Sequence, residues 1–155
     1  MTQASETTED TSREFITCRL GADEYCVNIL AVREIRSWTP ATRLPHAPPF
    51  VCGVINLRGS VLPVIDLSAR LGLGATEPKD RNVIIIVHLS GQTVGLLVDA
   101  VSDILCASQD DMHSTPSVAS ETAREFVEGL ITVGKRMIRI LNLDRLAPAA
   151  LVNQA

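Results

Sequence analysis

The order of the apolar segments in this chain repeats once, and that repeat restricts its fold more than any other feature. Ala31-Val32-Arg33-Glu34-Ile35 lies over Ala100-Val101-Ser102-Asp103-Ile104 at an offset of 69 residues. Gly53-Val54-Ile55 and Val64-Ile65-Asp66-Leu67 lie over Gly129-Leu130-Ile131 and Ile140-Leu141-Asn142-Leu143 at an offset of 76. The seven extra residues fall in the 108–120 region. Each half runs through a hairpin, an acidic turn, a loop, a second hairpin and a capped helical turn. Two copies are too few for a solenoid or propeller. The expectation is two small β-barrels of similar build that share a hydrophobic core.

Composition agrees. Hydrophobic residues make up 46% of the 155 residues and aromatics 3%. The core is therefore aliphatic, and Val, Ile and Leu favour strands. Net charge is −4 with no basic stripe or aromatic platform, which argues against nucleic acid as a partner. No charged-then-apolar leader opens the chain, and its longest apolar runs are of strand length. The expectation is a protein neither secreted nor membrane-spanning. Cys18, Cys26, Cys52 and Cys106 stand far apart without a Cys-x-x-Cys pair; they read as small hydrophobes in a reducing compartment.

Residues 1–12 are Thr, Ser, Glu, Asp and Gln with little to bury and read as a disordered tail. The folded domain is expected over 13–150, with approximate halves 13–75 and 82–147. Phe15 to Leu20 and Tyr25 to Val27 form the first hairpin. Residues 28–35 read as a turn of helix entering a strand, and Trp38 to Phe50, with four prolines, as an extended loop. The central hairpin joins Gly53–Leu57 to Val61–Leu67 through Arg58-Gly59-Ser60, where Gly59 supplies a positive φ. Pro63 cannot donate a ladder hydrogen bond, so its strand should be an edge or carry a bulge. Asp66 should N-cap the turn that follows, and Gly72 should end it. Arg58 is then a cation at the tip of two apolar strands, and Glu34 a carboxylate among aliphatics. Each is the obvious partner for the other, since an unpaired buried charge is costly. The alternative is two independent solvated charges.

In the second half, Val83 to Val87 is continuous and β-branched, a strand buried on both faces. His88 should end it, Val94 to Val98 should return, and a last hairpin should turn at Gly134-Lys135-Arg136 before a helix at 143–146. The chain has no phosphate-cradling glycine loop, no Gly-x-Ser-x-Gly elbow and no His-Glu-x-x-His. No metal-ligand spacing occurs and no cofactor is implied. The chain reads as a non-enzyme.

Asn56-Leu57-Arg58-Gly59 followed by Pro63-Val64-Ile65-Asp66-Leu67 resembles the signature of the CheW-type chemotaxis coupling proteins. Val32-Arg33-Glu34-Ile35 upstream and 94–103 downstream match as well, and the resemblance runs from about Phe15 to Leu146. It implies a mainly β protein of two SH3-like five-stranded β-barrel subdomains sharing a core, with short helices at the linker and C-terminus. The function implied is that of an adaptor acting by protein–protein binding. It would link the cytoplasmic tips of chemoreceptors to the regulatory domain of the histidine kinase CheA, in the cytoplasm beneath membrane receptor arrays. Val32, Glu34, Gly53, Asn56, Arg58 and Gly59 are the receptor- or kinase-binding positions carried over by motif. A second candidate interface is His113, Pro116 and Val118, in a segment where the family often has an arginine and an aromatic that this chain lacks. The isolated protein is expected to be a monomer. A related adaptor serving a kinase outside chemotaxis is the other reading left open.

Overall fold

A computed structural model describes residues 12–89, 91–114 and 125–146. Eleven strands are present among them: β1 (Ser12–Leu20), β2 (Asp23–Asn28), β3 (Val32–Ser37), β4 (Val51–Leu57), β5 (Ser60–Asp66), β6 (Val83–Leu89), β7 (Gln92–Val98), β8 (Ala100–Ser108), β9 (Met112–His113), β10 (Val127–Val133) and β11 (Arg136–Leu141). The helical pieces are short: Ile29–Ala31, Leu67–Arg70, Gln109–Asp111 and Leu143–Leu146. The tail read over 1–12 lies outside the described residues except for Ser12, which already opens β1.

The strands form two sheets, in the orders β8-β1-β2-β11-β10-β9 and β3-β6-β7-β5-β4. Matched through the repeat, the two orders are the same, with β9 added to the first. Each sheet takes its opening hairpin from the other half of the sequence: β1–β2 pairs with β8 and β11, and β6–β7 with β3 and β5. The parallel β2–β11 and β5–β7 contacts, with the antiparallel β1–β8 and β3–β6 pairings, are the joints of this exchange. The architecture is therefore two SH3-like sheets, each built from both halves.

Three apolar clusters explain why the strands are buried on two sides. One lies between the sheets and includes Ile16, Cys18, Tyr25 and Val27 from one and Ile65, Ile85, Leu96 and Val98 from the other. A second lies on the other face of the six-stranded sheet, with Phe15, Cys26, Leu105, Ile131 and Ile138. A third fills the five-stranded sheet with Ile55, Leu62, Val64, Ile84 and Leu97. Alternate residues of one strand thus enter different cores, as the period of two requires. Ile84 and Ile86 face inward, whereas Ile85 and Val87 face the other sheet.

Several local expectations hold. Ala69 N donates to Asp66 Oδ1 at 3.4 Å, capping the helix Leu67–Arg70, and Gly72 leaves it with φ 79°. Asn28 caps the turn Ile29–Ala31 by accepting from Leu30 N. Others are corrected. β5 lies inside its sheet, and Pro63 is accommodated because pairing with β7 begins only at Val64; the bulge is on the partner strand, between Val51 and Gly53. His88 lies within β6 rather than at its end. Arg136 belongs to β11, so the last turn is only Gly134-Lys135. Glu34 and Asp103 sit in strands, not turns.

Candidate binding site at the sheet ends

The central hairpin turns in two residues, Arg58 (φ 51°) and Gly59 (φ 87°). Two successive positive φ values are the pattern of a type I′ turn, whose twist matches that of the strands. Glycine adopts it freely, but arginine does so uncommonly. Side chains hold it there: Asn56 Oδ1 accepts from Gly59 N at 2.9 Å, and Arg58 Nη2 donates to Glu34 Oε2. Glu34 Oε1 also accepts from Arg36 Nη1 at 3.3 Å. The hydrogen bond from Arg58 is the chief reason the Glu34 carboxyl is held below its ordinary range, and Glu34 in turn raises Arg58.

β3 and β4 are opposite edges of their sheet. The Arg58–Glu34 pair therefore brings the two edges together over the cluster of Ile55, Ile84 and Ile86. Below it, Thr42 and Val54 exchange backbone hydrogen bonds, both 2.8 Å, so the chain leaving β3 is sewn to β4. The pair is far from buried: the Arg58 side chain is 69% exposed and that of Glu34 26%. The apolar flanks of Arg58 in sequence belong to strands whose cores lie below the tip. This ion pair is a surface feature and contributes little to stability.

Four of the six motif positions, Glu34, Asn56, Arg58 and Gly59, meet at this tip. The other two do not. Val32 packs on the core between the sheets. Gly53 (φ 146°) lies beneath Thr42, whose carbonyl oxygen would stand 2.3 Å from an added Cβ. Its role is close packing of backbone on backbone. Of the second candidate interface, His113 is in β9, where Nε2 lies 3.0 Å from Thr132 Oγ1. Pro116 and Val118 lie outside the described residues.

The six-stranded sheet ends in a corresponding arrangement that the sequence reading did not assemble. Arg136 Nη2 donates to Glu24 Oε2 at 2.8 Å and to Asp103 Oδ1 at 3.2 Å. Nε donates to Glu24 Oε1 at 3.1 Å and Nη1 to Asp103 Oδ2 at 3.2 Å. Asp103 is also bonded by Thr17, whose buried hydroxyl accepts from Asp103 N at 3.1 Å. Arg136 pushes both carboxyls below their ordinary range, with Thr17 adding to the effect on Asp103; the two carboxylates raise Arg136. Glu34 lies just after an irregularity in strand pairing and Asp103 within one. Such bulges re-aim side chains. The repeat aligned Asp103 with Glu34, but the arginine has moved two places, so residue-by-residue matching put Gly134 over Arg58. An arginine beside a glycine turn in both hairpins was the available signal.

The two ends thus differ in chemistry. Exposed apolar side chains also recur at equivalent positions, Ile35 with Ile104 and Val61 with Met137. Both ends consist of satisfied ion pairs, with no nucleophile and base in contact. A cleft of about 430 Å³ lined by Trp38, Pro48, Cys52 and Asp66 carries no reactive set either. Burial pushes the Cys52 thiol up to about 11, and Asp66 is engaged by Thr76 N at 2.6 Å and Thr76 Oγ1 at 2.8 Å. No helix among the described residues is long and apolar enough to cross a membrane.

Comparison with known proteins gives the arrangement its context. The model of the CheW-like domain matches residues 14–150. The chain is 53% identical over 149 residues to the chemotaxis protein CheW of Rhizobium meliloti (strain 1021), covering 96% of each chain. It is 34% identical to the chemotaxis protein CheW of Klebsiella aerogenes, covering 89% of this chain and 83% of that one. The crystal structure of the scaffolding protein TtCheW from Thermoanaerobacter tengcongensis superposes with a TM-score of 0.80 at 36% identity, covering 86% of this chain and 91% of that one. Two exchanged SH3-like sheets, a motif-bearing hairpin tip and these likenesses agree: the chain belongs to the CheW family of chemotaxis scaffold proteins, which are adaptors and not enzymes.

Proposed function

We propose that this chain couples chemoreceptors to the histidine kinase CheA by binding both, at the array beneath the membrane and without chemistry of its own. The observation that carries the reading is that hairpin-tip ion pairing occurs twice, once per sheet, with different residues at each end. A module with two unlike faces builds rings or open chains with a partner that has the matching pair. Weak single contacts are then reinforced by effective concentration within the array. Glu34, Asn56, Arg58 and Gly59 form the first face, with Val32 and Gly53 maintaining its shape. The 112–118 segment, including His113, is proposed for the second. Alone, the protein is a monomer.

The test is a pull-down with the CheA regulatory domain, with and without receptor tips, on wild type, Glu34→Ala, Arg58→Ala and the double variant. Binding to both partners is expected, with losses in the single variants that are non-additive in the cycle. Plain additivity would sink the pairing. Binding to a kinase of another pathway, and not to CheA, would replace the chemotaxis assignment.

A further inference from the structure

We propose that Arg70 fixes the two sheets relative to one another and so positions the two partner-binding ends; the functional half of this rests on the adaptor reading above. Arg70 ends the helix that follows β5 in the five-stranded sheet. Its guanidinium carbon lies 4.3 Å from the ring centroid of Phe50 and 4.6 Å from that of Phe126. Phe50 precedes β4, and Phe126 precedes β10 in the other sheet. Arg70 Nε donates to the Leu146 carbonyl at 2.8 Å, and Nη2 to the Arg145 carbonyl at 3.2 Å.

These acceptors are at the end of the helix after β11. The last carbonyls of a helix lack partners within it and carry the negative end of its dipole. A guanidinium suits the position because its faces can meet aromatic rings while its rim donates in a fixed fork. Removal from water lowers its pKa, and Glu125 offsets part of that.

The repeat explains why a single residue can do this. Phe126 is the equivalent of Phe50, and their carbonyls accept from equivalent amides, Asp66 N at 2.7 Å and Asn142 N at 2.8 Å. Arg70 therefore stands between two related rings. Its own equivalent is Leu146, which is fully buried in the core between the sheets. Symmetry is broken here: one repeat supplies the cation and the other the carbonyls that accept from it. Arg70 is a positioning residue, not a contact residue.

The experiment uses the full chain as wild type, Arg70→Ala, Arg70→Lys and Phe50→Leu. It measures amide exchange in 142–146, affinity for the isolated kinase regulatory domain, and receptor-dependent kinase activation. Arg70→Ala should lose protection in 142–146 and keep binary affinity within about twofold. Activation, which needs both ends correctly placed, should fall about tenfold or more. Arg70→Lys keeps the charge but not the fork and should recover less than half of it, with Phe50→Leu intermediate. Full activation in Arg70→Ala, full rescue by lysine, or a parallel loss of binary affinity overturns the functional role. Should Arg70→Ala fail to fold, Arg70→Lys and Phe50→Leu decide by the same criteria. Should wild type itself give no activation, the adaptor reading fails instead. Exchange then judges the clamp alone, with unchanged protection refuting it.

Discussion

Gly53 is the motif residue whose removal has a calculable structural effect. An alanine there would place its Cβ 2.3 Å from the Thr42 carbonyl oxygen and 2.7 Å from its carbon, at φ 146°. Backbone cannot swing aside as a flexible side chain can, so the chain around Thr42 must lift from β4. Lifting sacrifices the two Thr42–Val54 hydrogen bonds, each about 1 kcal/mol. The φ strain adds about 1–2 kcal/mol. Gly53→Ala should therefore cost about 3 kcal/mol in equilibrium urea unfolding, with the m-value little changed. Amide exchange at Thr42 and Val54 should accelerate more than that of β6 and β7. The equivalent Gly129→Ala is an internal control. Its Cβ would lie 2.9 Å from the His113 carbonyl without a left-handed φ, in a pairing of only two residues with β9; about 1 kcal/mol is expected. A Gly53→Ala loss below about 1 kcal/mol, or Gly129→Ala costing more, would refute this account.

The two sheet ends should respond differently to loss of their arginines. Arg136→Ala leaves Glu24, whose side chain is only 14% exposed, without its cation; after allowing for solvent screening at Arg136, about 1–2 kcal/mol should be lost in urea unfolding. Arg58→Ala, at an exposed turn, should leave the urea midpoint almost unchanged while weakening partner binding, and a large loss of stability would contradict the surface placement. The acid limb of stability should depend on Glu24 and Asp103. Both folded-state pKa values are depressed from 4.5 and 3.8, so the folded chain binds fewer protons than the unfolded one near those values. Their contribution is present above the unfolded values and is lost as pH falls through the folded ones. Urea midpoints from pH 6 down to about 2.5 should fall less steeply in Glu24→Gln/Asp103→Asn than in wild type, and parallel curves would refute the assignment.

What could be read from the sequence was local. Short β-branched runs between Gly, Asp and Asn mark strands because side-chain period and turn chemistry act over a few residues. Asp66 announced its cap in the same way. The exchange of hairpins was not legible. Each opening hairpin buries residues in two cores, so pattern alone fits either half, and the choice is made by contacts such as Val64 beside Gly95. An added Cβ on Gly95 would meet Val64 Cγ2 at 3.5 Å, a contact visible only once those strands are neighbours. The Glu24–Arg136 contact, spanning 112 positions, was hidden for the same reason. Arg58 was correctly paired with Glu34 but placed too deep, because apolar flanks in sequence do not tell how far a turn projects beyond its last strand pair.

The exchange also bears on how an adaptor with two ends can work. Because β1–β2 lies in the sheet of β8, β10 and β11, and β6–β7 in that of β3, β4 and β5, neither half of the sequence contains a complete sheet. Separating the halves in space would break four strand pairings, two antiparallel and two parallel, and open the core between the sheets. The ends therefore belong to one body rather than to two beads on a linker. Force or binding at the Glu34–Arg58 end is opposed by β6 and β7, which belong to the half that also supplies Asp103 and Arg136. The cost is long-range pairing, which must be formed against chain entropy and slows folding. The gain is a fixed angle between two surfaces. In the coupling role proposed above, a scaffold that performs no reaction would depend on that angle more than on any single side chain.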